Sequence, residues 1–183
     1  MPILLGMAAA RTIGAAIAVA LACVAMAPAA SAAPRVPAAS LSSLESGVLV
    51  EINAFRAQHH LARLRLSSEL THAARAHTGQ MAADGYFAHN SADGSVFWKR
   101  IQSFYGVARW KYWSVGENLL WSSPDVDAGS ALKLWLASPE HRRNLMSPSW
   151  REIGVSAVHA AHAGGAYAGR EVTIVTTDFG VRR

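Results

Sequence analysis

The feature that most constrains this chain is a change of rhythm along it. In the first part of the folding region, Leu44, Val48, Ile52 and Phe55 recur at spacings of four, four and three. That spacing is one apolar face of a helix, and Ser42 or Ser43 can cap it. A second helix is predicted from 68 to about 85. Its inner stripe is Leu70, Ala73, Ala74, His77, Met81 and Ala82, with a cap from Ser67 or Ser68 and Gly85 just past its end. Late in the chain the rhythm becomes β-branched. Residues 153–158 and 171–179, rich in Val, Ile and Thr, read as strands, with a hairpin loop over 159–169. Helices first and strands after imply an α+β fold, an antiparallel sheet covered by helices.

The middle is less regular. Residues 86–95 are dense in turn formers and carry the Asp93-Gly94 step, so they read as a structured loop. A short helix follows from about 96 to 105, with Phe97, Ile101 and Phe104 on one side. Residues 112–121 read as a strand or a turn into one. Pro124 and Asp125 open a helix running to Ala137. Ser138 and Pro139 then suit the cap and first position of a new helical turn.

Residues 1–34 differ from the rest. They carry a single charge, Arg11, and an apolar run from Ile13 to Met26. Ala30 and Ala32 match the A-x-A rule, so residues 1–32 read as a signal peptide cleaved after Ala32. The alternative is an uncleaved anchor, but the run is short for a span and no stop-transfer charges follow it. Cys23 raises lipidation, yet Ala20 stands where a lipobox wants a branched aliphatic residue. Residues 33–40, rich in Pro and Ala, are a linker, and residues 41–183 are the folding domain.

These boundaries imply a secreted, extracellular domain with no stable membrane span after cleavage. The one cysteine leaves with the leader, so no disulfide framework supports the domain. Hydrophobic residues at 51% against 16% charged exclude disorder for the chain as a whole. The net charge of +5 favours general attraction to anionic walls, lipids or polyanions. Nucleic acid is not an expected partner, because the arginines are scattered and no aromatic signature interleaves them.

The chain holds no G-x-S-x-G elbow, no H-E-x-x-H and no Gly-rich loop followed by Lys. Of its eight histidines, His59 and His60 read as an exposed helix exit. His72 and His77 are too far apart around a helix to share a metal. His77, on the inner stripe, reads as a hydrogen-bonded core histidine. His159 and His162 lie in the expected loop. Three residues stand out: His89 on the structured loop, Glu117 between Gly116 and Asn118 in an apolar segment, and His141 at the start of a helical turn. A lone carboxylate in Glu117's position needs a partner if it is buried.

At these segments the sequence resembles the CAP superfamily, the SCP-like domain of secreted proteins, in its bacterial branch. The pieces stand in the family's order. They are 50–56 (VEINAFR), 70–77 with Met81 (LTHAARAH), 87–89 (FAH), 93–95 (DGS), 116–119 (GENL), 135–145 (WLASPEHRRNL), 153–155 (IGV) and 178–180 (DFG). The resemblance implies a three-layer α-β-α sandwich with a central antiparallel sheet. It also implies a shallow ligand cleft with His89, Glu117 and His141 on its floor, where family members can hold a divalent metal, often zinc. Two imidazoles and a carboxylate with an open position are a reasonable zinc set. The second family histidine before the last strand is absent from 173–177, and Glu140 replaces the family glycine before His141. Glu140 is either an extra ligand or a solvated helix-start carboxylate.

Two functions follow. One is a non-enzymatic extracellular module that requires no cofactor and binds a lipid or sterol-like ligand, or a component of a cell wall or host surface. Trp98, Trp110, Trp113 and Trp121 are then either an apolar wall of the groove or core. The alternative is a metal-dependent hydrolase of peptidase or lipase type, with Glu117 as base and His89 and His141 holding a metal-bound water. A third possibility is a purely structural cluster that ties the loop and helix to the sheet.

Overall fold

The computed structural model describes residues 41–183; the expected signal peptide over 1–32 and linker over 33–40 lie outside them. The elements in chain order are α1 (Ser43–Gln58), β1 (Arg65–Leu66), α2 (Ser68–Asp84), α3 (Phe97–Phe104), β2 (Trp113–Ser122), α4 (Ala128–Ala137), α5 (Pro139–Met146), β3 (Glu152–Ala163), a 3₁₀ turn at Gly165–Tyr167, and β4 (Arg170–Arg182).

The caps explain the helix starts. Ser42 and Glu45 form a reciprocal capping box on α1, each accepting from the other's backbone N–H. The same Glu45 carboxylate accepts from Ala157 N at 3.0 Å, which pins α1 to β3. Ser67 caps α2, and Gly85 ends it in the left-handed region that glycine tolerates best. The expected opening of α4 at Pro124 and Asp125 is too early. Asp127 is the cap, because its side chain reaches Ser130 N. Ser138 precedes α5 as expected but makes no side-chain cap; Pro139 supplies the first-turn geometry.

The sheet order is β1-β3-β4-β2. The three long strands pair antiparallel, as expected, while the two-residue β1 runs parallel to β3. Its two residues carry no period that sequence could reveal. The first part of the expected loop over 159–169 is strand: β3 continues to Ala163, with a register shift between Ala160 and Ala163. Ladder hydrogen bonds to β4 override the weak propensity of this Ala/His stretch.

Adjacent strand residues face opposite layers. Leu120, Val155, Val175 and Phe179 pack with Val48, Ile52, Ala131 and Trp135 in the layer of α1, α4 and α5. Leu119, Ile174 and Val172 pack with Met81 of α2 on the other side, and Ile101 of α3 packs on Leu70 and Ala73. This is the expected α-β-α sandwich. The α2 layer comes very close to the sheet at Gly154, where an added Cβ would lie 2.1 Å from the Leu70 carbonyl carbon. Strand β2 is an edge, so its free side is open between the two helical layers.

Candidate functional site

A cavity of about 400 Å³ opens beside that edge. It is lined by His89 and Phe97 from the α2–α3 side, by Val115, Gly116 and Glu117 of β2, and by Glu140, His141, Arg143 and Asn144 of α5. All three residues singled out by sequence thus line one cleft.

Glu117 points to the α2 layer, like Val115 and Leu119, because alternate residues of a strand share a face. Its side chain is only 1% exposed. One oxygen accepts from His89 Nδ1 at 2.7 Å, and the other is bonded to the Arg100 guanidinium. Arg100 projects from α3 and also donates to the His89 carbonyl at 3.1 Å and to Ser91 Oγ at 3.4 Å. The loop that carries His89 is therefore fastened to α3 by the same arginine that neutralises Glu117. Sequence reasoning missed Arg100. Its only signal is the position three residues after Phe97, on a helix start that faces the loop.

Asp178 is the second missed residue. It stands opposite Glu117 in the β2–β4 ladder, is fully buried, and neither of its carboxyl oxygens has a hydrogen-bond partner among the described residues. Burial, and then the negative charge of Glu117, push its carboxyl well above the usual carboxylate range. Asp178 therefore holds its proton more tightly than an ordinary carboxyl does.

His77 is buried as expected and donates from Nε2 to Ala88 O at 2.9 Å. That nitrogen lies 4.0 Å from Glu117. Burial lowers the His77 pKa to about 4, against the opposing pull of Glu117.

His141 arrives from the other layer. Asn118 Nδ2 donates to its carbonyl at 3.1 Å, and Asn144 Nδ2 donates to Glu117 O at 3.0 Å and to Asn118 Oδ1 at 2.8 Å. These amides clamp α5 onto β2. The His141 ring lines the cavity without a hydrogen bond to His89 or Glu117, and its pKa is lowered by burial and by His89. Glu140, exposed in the first turn of α5, lines the same mouth.

The donor set does not suit a divalent metal as it stands. Both Glu117 oxygens are already engaged, one by a guanidinium, and the His89 nitrogen that faces Glu117 must carry a proton. Among the described residues no group of three or more His, Cys, Asp or Glu is arranged to hold a metal ion.

None of the four tryptophans forms a wall of this cleft. Trp113 donates its indole N–H to Tyr105 O at 2.9 Å, Trp121 packs edge-on to Tyr167, and Trp98 is exposed on α3. Trp110 belongs to a second cavity of about 310 Å³, with Glu69, Arg109 and Arg182. The apolar part of the cleft is Phe97 and Val115 instead. His59 is exposed at the end of α1, as expected, and His159 pairs with Glu171 at 3.2 Å.

The family model for CAP, the cysteine-rich secretory protein family, matches residues 49–179. The uncharacterized protein YkwD of Bacillus subtilis is 30% identical over 121 residues, which are 66% of this chain and 45% of that protein. The uncharacterized membrane protein YlbC of the same organism is 27% identical over 111 residues, 61% of this chain and 30% of YlbC. The chain thus spans less than half the length of either relative. Among solved structures, an extracellular protein from Bacillus anthracis that contains an SCP domain superposes with a TM-score of 0.56 at 25% identity, covering 79% of this chain and 45% of that one. An outer surface protein of Borrelia burgdorferi gives 0.58 at 18% identity, over 74% and 90% of the two chains, and shows the fold alone.

Proposed function

The chain belongs to the CAP family of cysteine-rich secretory proteins, and from that membership we propose that it acts outside the cytoplasm as a non-enzymatic binding module. The ligand is a small amphipathic molecule, lipid or sterol-like, held in the cleft at the edge of β2. The observation that carries this reading is the convergence of Phe97 and Val115 with His89, His141 and Asn144 around one cavity of about 400 Å³. Apolar walls with a few fixed polar groups suit a ligand that has both kinds of surface. A solved relative described as an extracellular protein agrees with the location. Among the described residues no helix is long and apolar enough to cross a membrane.

The test is a panel of fatty acids, phospholipids and sterols followed by thermal shift and by tryptophan fluorescence. Trp150 is the reporter, because it packs against cleft residue Gly116. Saturable binding that weakens in Phe97→Ala and His141→Ala is the expected result. No saturable response to any member, with wall and host-surface extracts retained instead, would replace the small ligand by a macromolecular surface.

One observation favours a second reading as a hydrolase. The bond from His89 Nδ1 to Glu117 leaves Nε2 of a half-exposed ring available to a partner in the cleft. In this reading His89 is the general base for a water, and Glu117 orients it. Peptidase and esterase assays with His89→Ala as the control separate the two readings. Equal activity in variant and wild type would mark a contaminant.

A further inference from the structure

Beside His89 and Glu117 the family resemblance implies a divalent metal. The geometry points to a different cation: we infer that the Arg100 guanidinium is the resident cation of this cleft and that it excludes a metal ion from Glu117.

Arg100 is built into the site. Its side chain is 8% exposed, against 1% for Glu117, so the pair meets almost out of water. Arg100 holds the carboxylate of β2 together with the carbonyl of His89 and the hydroxyl of Ser91, so it joins the strand to the loop across the cleft floor. A guanidinium suits this place, because it is always charged and its fork can serve several oxygens at once. The pair balances without a metal, because one buried carboxylate meets one buried guanidinium. A divalent ion bound to Glu117 would stand against the guanidinium with little water to screen the repulsion. It would also need His89 to surrender the proton that Nδ1 donates.

What Arg100 covers is a pair of zinc donors rather than a complete set. Glu117 Oε1 is 2.7 Å from His89 Nδ1, whereas His77 Nε2 is committed to the Ala88 carbonyl. Without the guanidinium, a free carboxylate faces an imidazole, two donor types that zinc accepts. Arg100 is thus a positioning residue that decides the cation content of the cleft. This stands whether or not the ligand is lipid-like, so the two are tested apart.

The experiment titrates zinc into the purified protein and follows both the melting temperature and the imidazole nitrogen resonances of His89. The wild-type His89 resonances are expected not to move in excess zinc, whatever exposed histidines such as His59 and His60 take up. Arg100→Ala should bind zinc roughly 10- to 100-fold more tightly, the span that neighbouring groups impose on metal sites. The His89 resonances should then move, and the gain should vanish in the double variant with His89→Ala. Arg100→Lys should stay insensitive, because the ammonium keeps the charge. Zinc-dependent movement of His89 in the wild type, abolished by Glu117→Gln, would overturn the inference. So would a folded Arg100→Ala that gains no zinc response. Should Arg100→Ala fail to fold, the wild-type resonances and Arg100→Lys decide the question by themselves.

Discussion

Two arginines are withdrawn from solvent in this domain, and the protein treats them in opposite ways. Arg56 of α1 is 0% exposed and its guanidinium is bonded only to backbone carbonyls: Nε to Ala62 at 2.9 Å, and one terminal nitrogen to Leu145 at 2.8 Å and Ser147 at 3.0 Å. Burial, and then Arg151, lower its pKa, yet an arginine stays charged at any working pH. Arg100 binds a carboxylate at the floor of a cavity. The first arrangement ties the end of α1 to the loop before β1 and to the end of α5. The second puts charge, a half-exposed imidazole and an open cavity together. A sequestered arginine marks a site where its partner is itself placed against a cleft, and marks a staple where its partners are carbonyls.

The largest expected effect is at the staple. Arg56→Met should lose on the order of 3–5 kcal/mol in denaturant unfolding, because three carbonyls lose their donor and nothing replaces it. A loss below about 1 kcal/mol would mean that water or a neighbour re-satisfies them, and the contrast between the two arginines would weaken.

Glu117→Gln leaves Arg100 without its anion and should lose less, about 2–3 kcal/mol. Asp178 is close enough to ionise and take over part of the charge. Carbonyl-stretch spectroscopy can check this: the protonated Asp178 band should shrink in the Gln variant. An unchanged band with the full loss would show that Asp178 does not compensate.

His77 supplies a pH test. Its folded pKa of about 4 lies below the ordinary 6.5. The unfolded chain therefore takes up the proton first as pH falls. Full stability holds above about 6.5 and is lost as pH drops towards 4, by about 2 kcal/mol once solvent screening is allowed for. His77→Gln should flatten the curve in this window. Arg56 cannot contribute to it.

The smallest effect should be a gain. The Asp178 carboxyl is raised, so wild type carries a cost at neutral pH that fades as pH falls towards 3.8 and below. Asp178→Asn should be slightly more stable than wild type near neutrality, with the difference closing in acid. A loss at neutral pH would show that the carboxyl makes a bond that Asn cannot keep.

Much of this was legible in residue order. The spacing of Leu44, Val48, Ile52 and Phe55, the caps at Ser42 and Ser67, and Gly85 located α1 and α2. The Val/Ile/Thr runs located β3 and β4. The lone carboxylate of Glu117 in an apolar segment announced a buried partner, and it has two. The reach of β3 past His159 was not legible, because Ala and His have little strand preference until β4 supplies the ladder. Nor was the role of Arg100, which looks like any helix arginine until α3 packs across β2.

Local pattern thus determined most of the helices and the cores of the long strands, because periodicity and capping act within a few residues of chain; the α-β-α layering and the grouping of His89, Glu117 and His141 in one cleft were implied only by the family resemblance. Tertiary structure alone decided which groups are partners. Glu117 and Asp178 are far apart in sequence yet opposite each other in one ladder, and Arg100 reaches Glu117 from another layer. Charge balance in a buried site depends on distance and burial, and both exist only once the layers have closed.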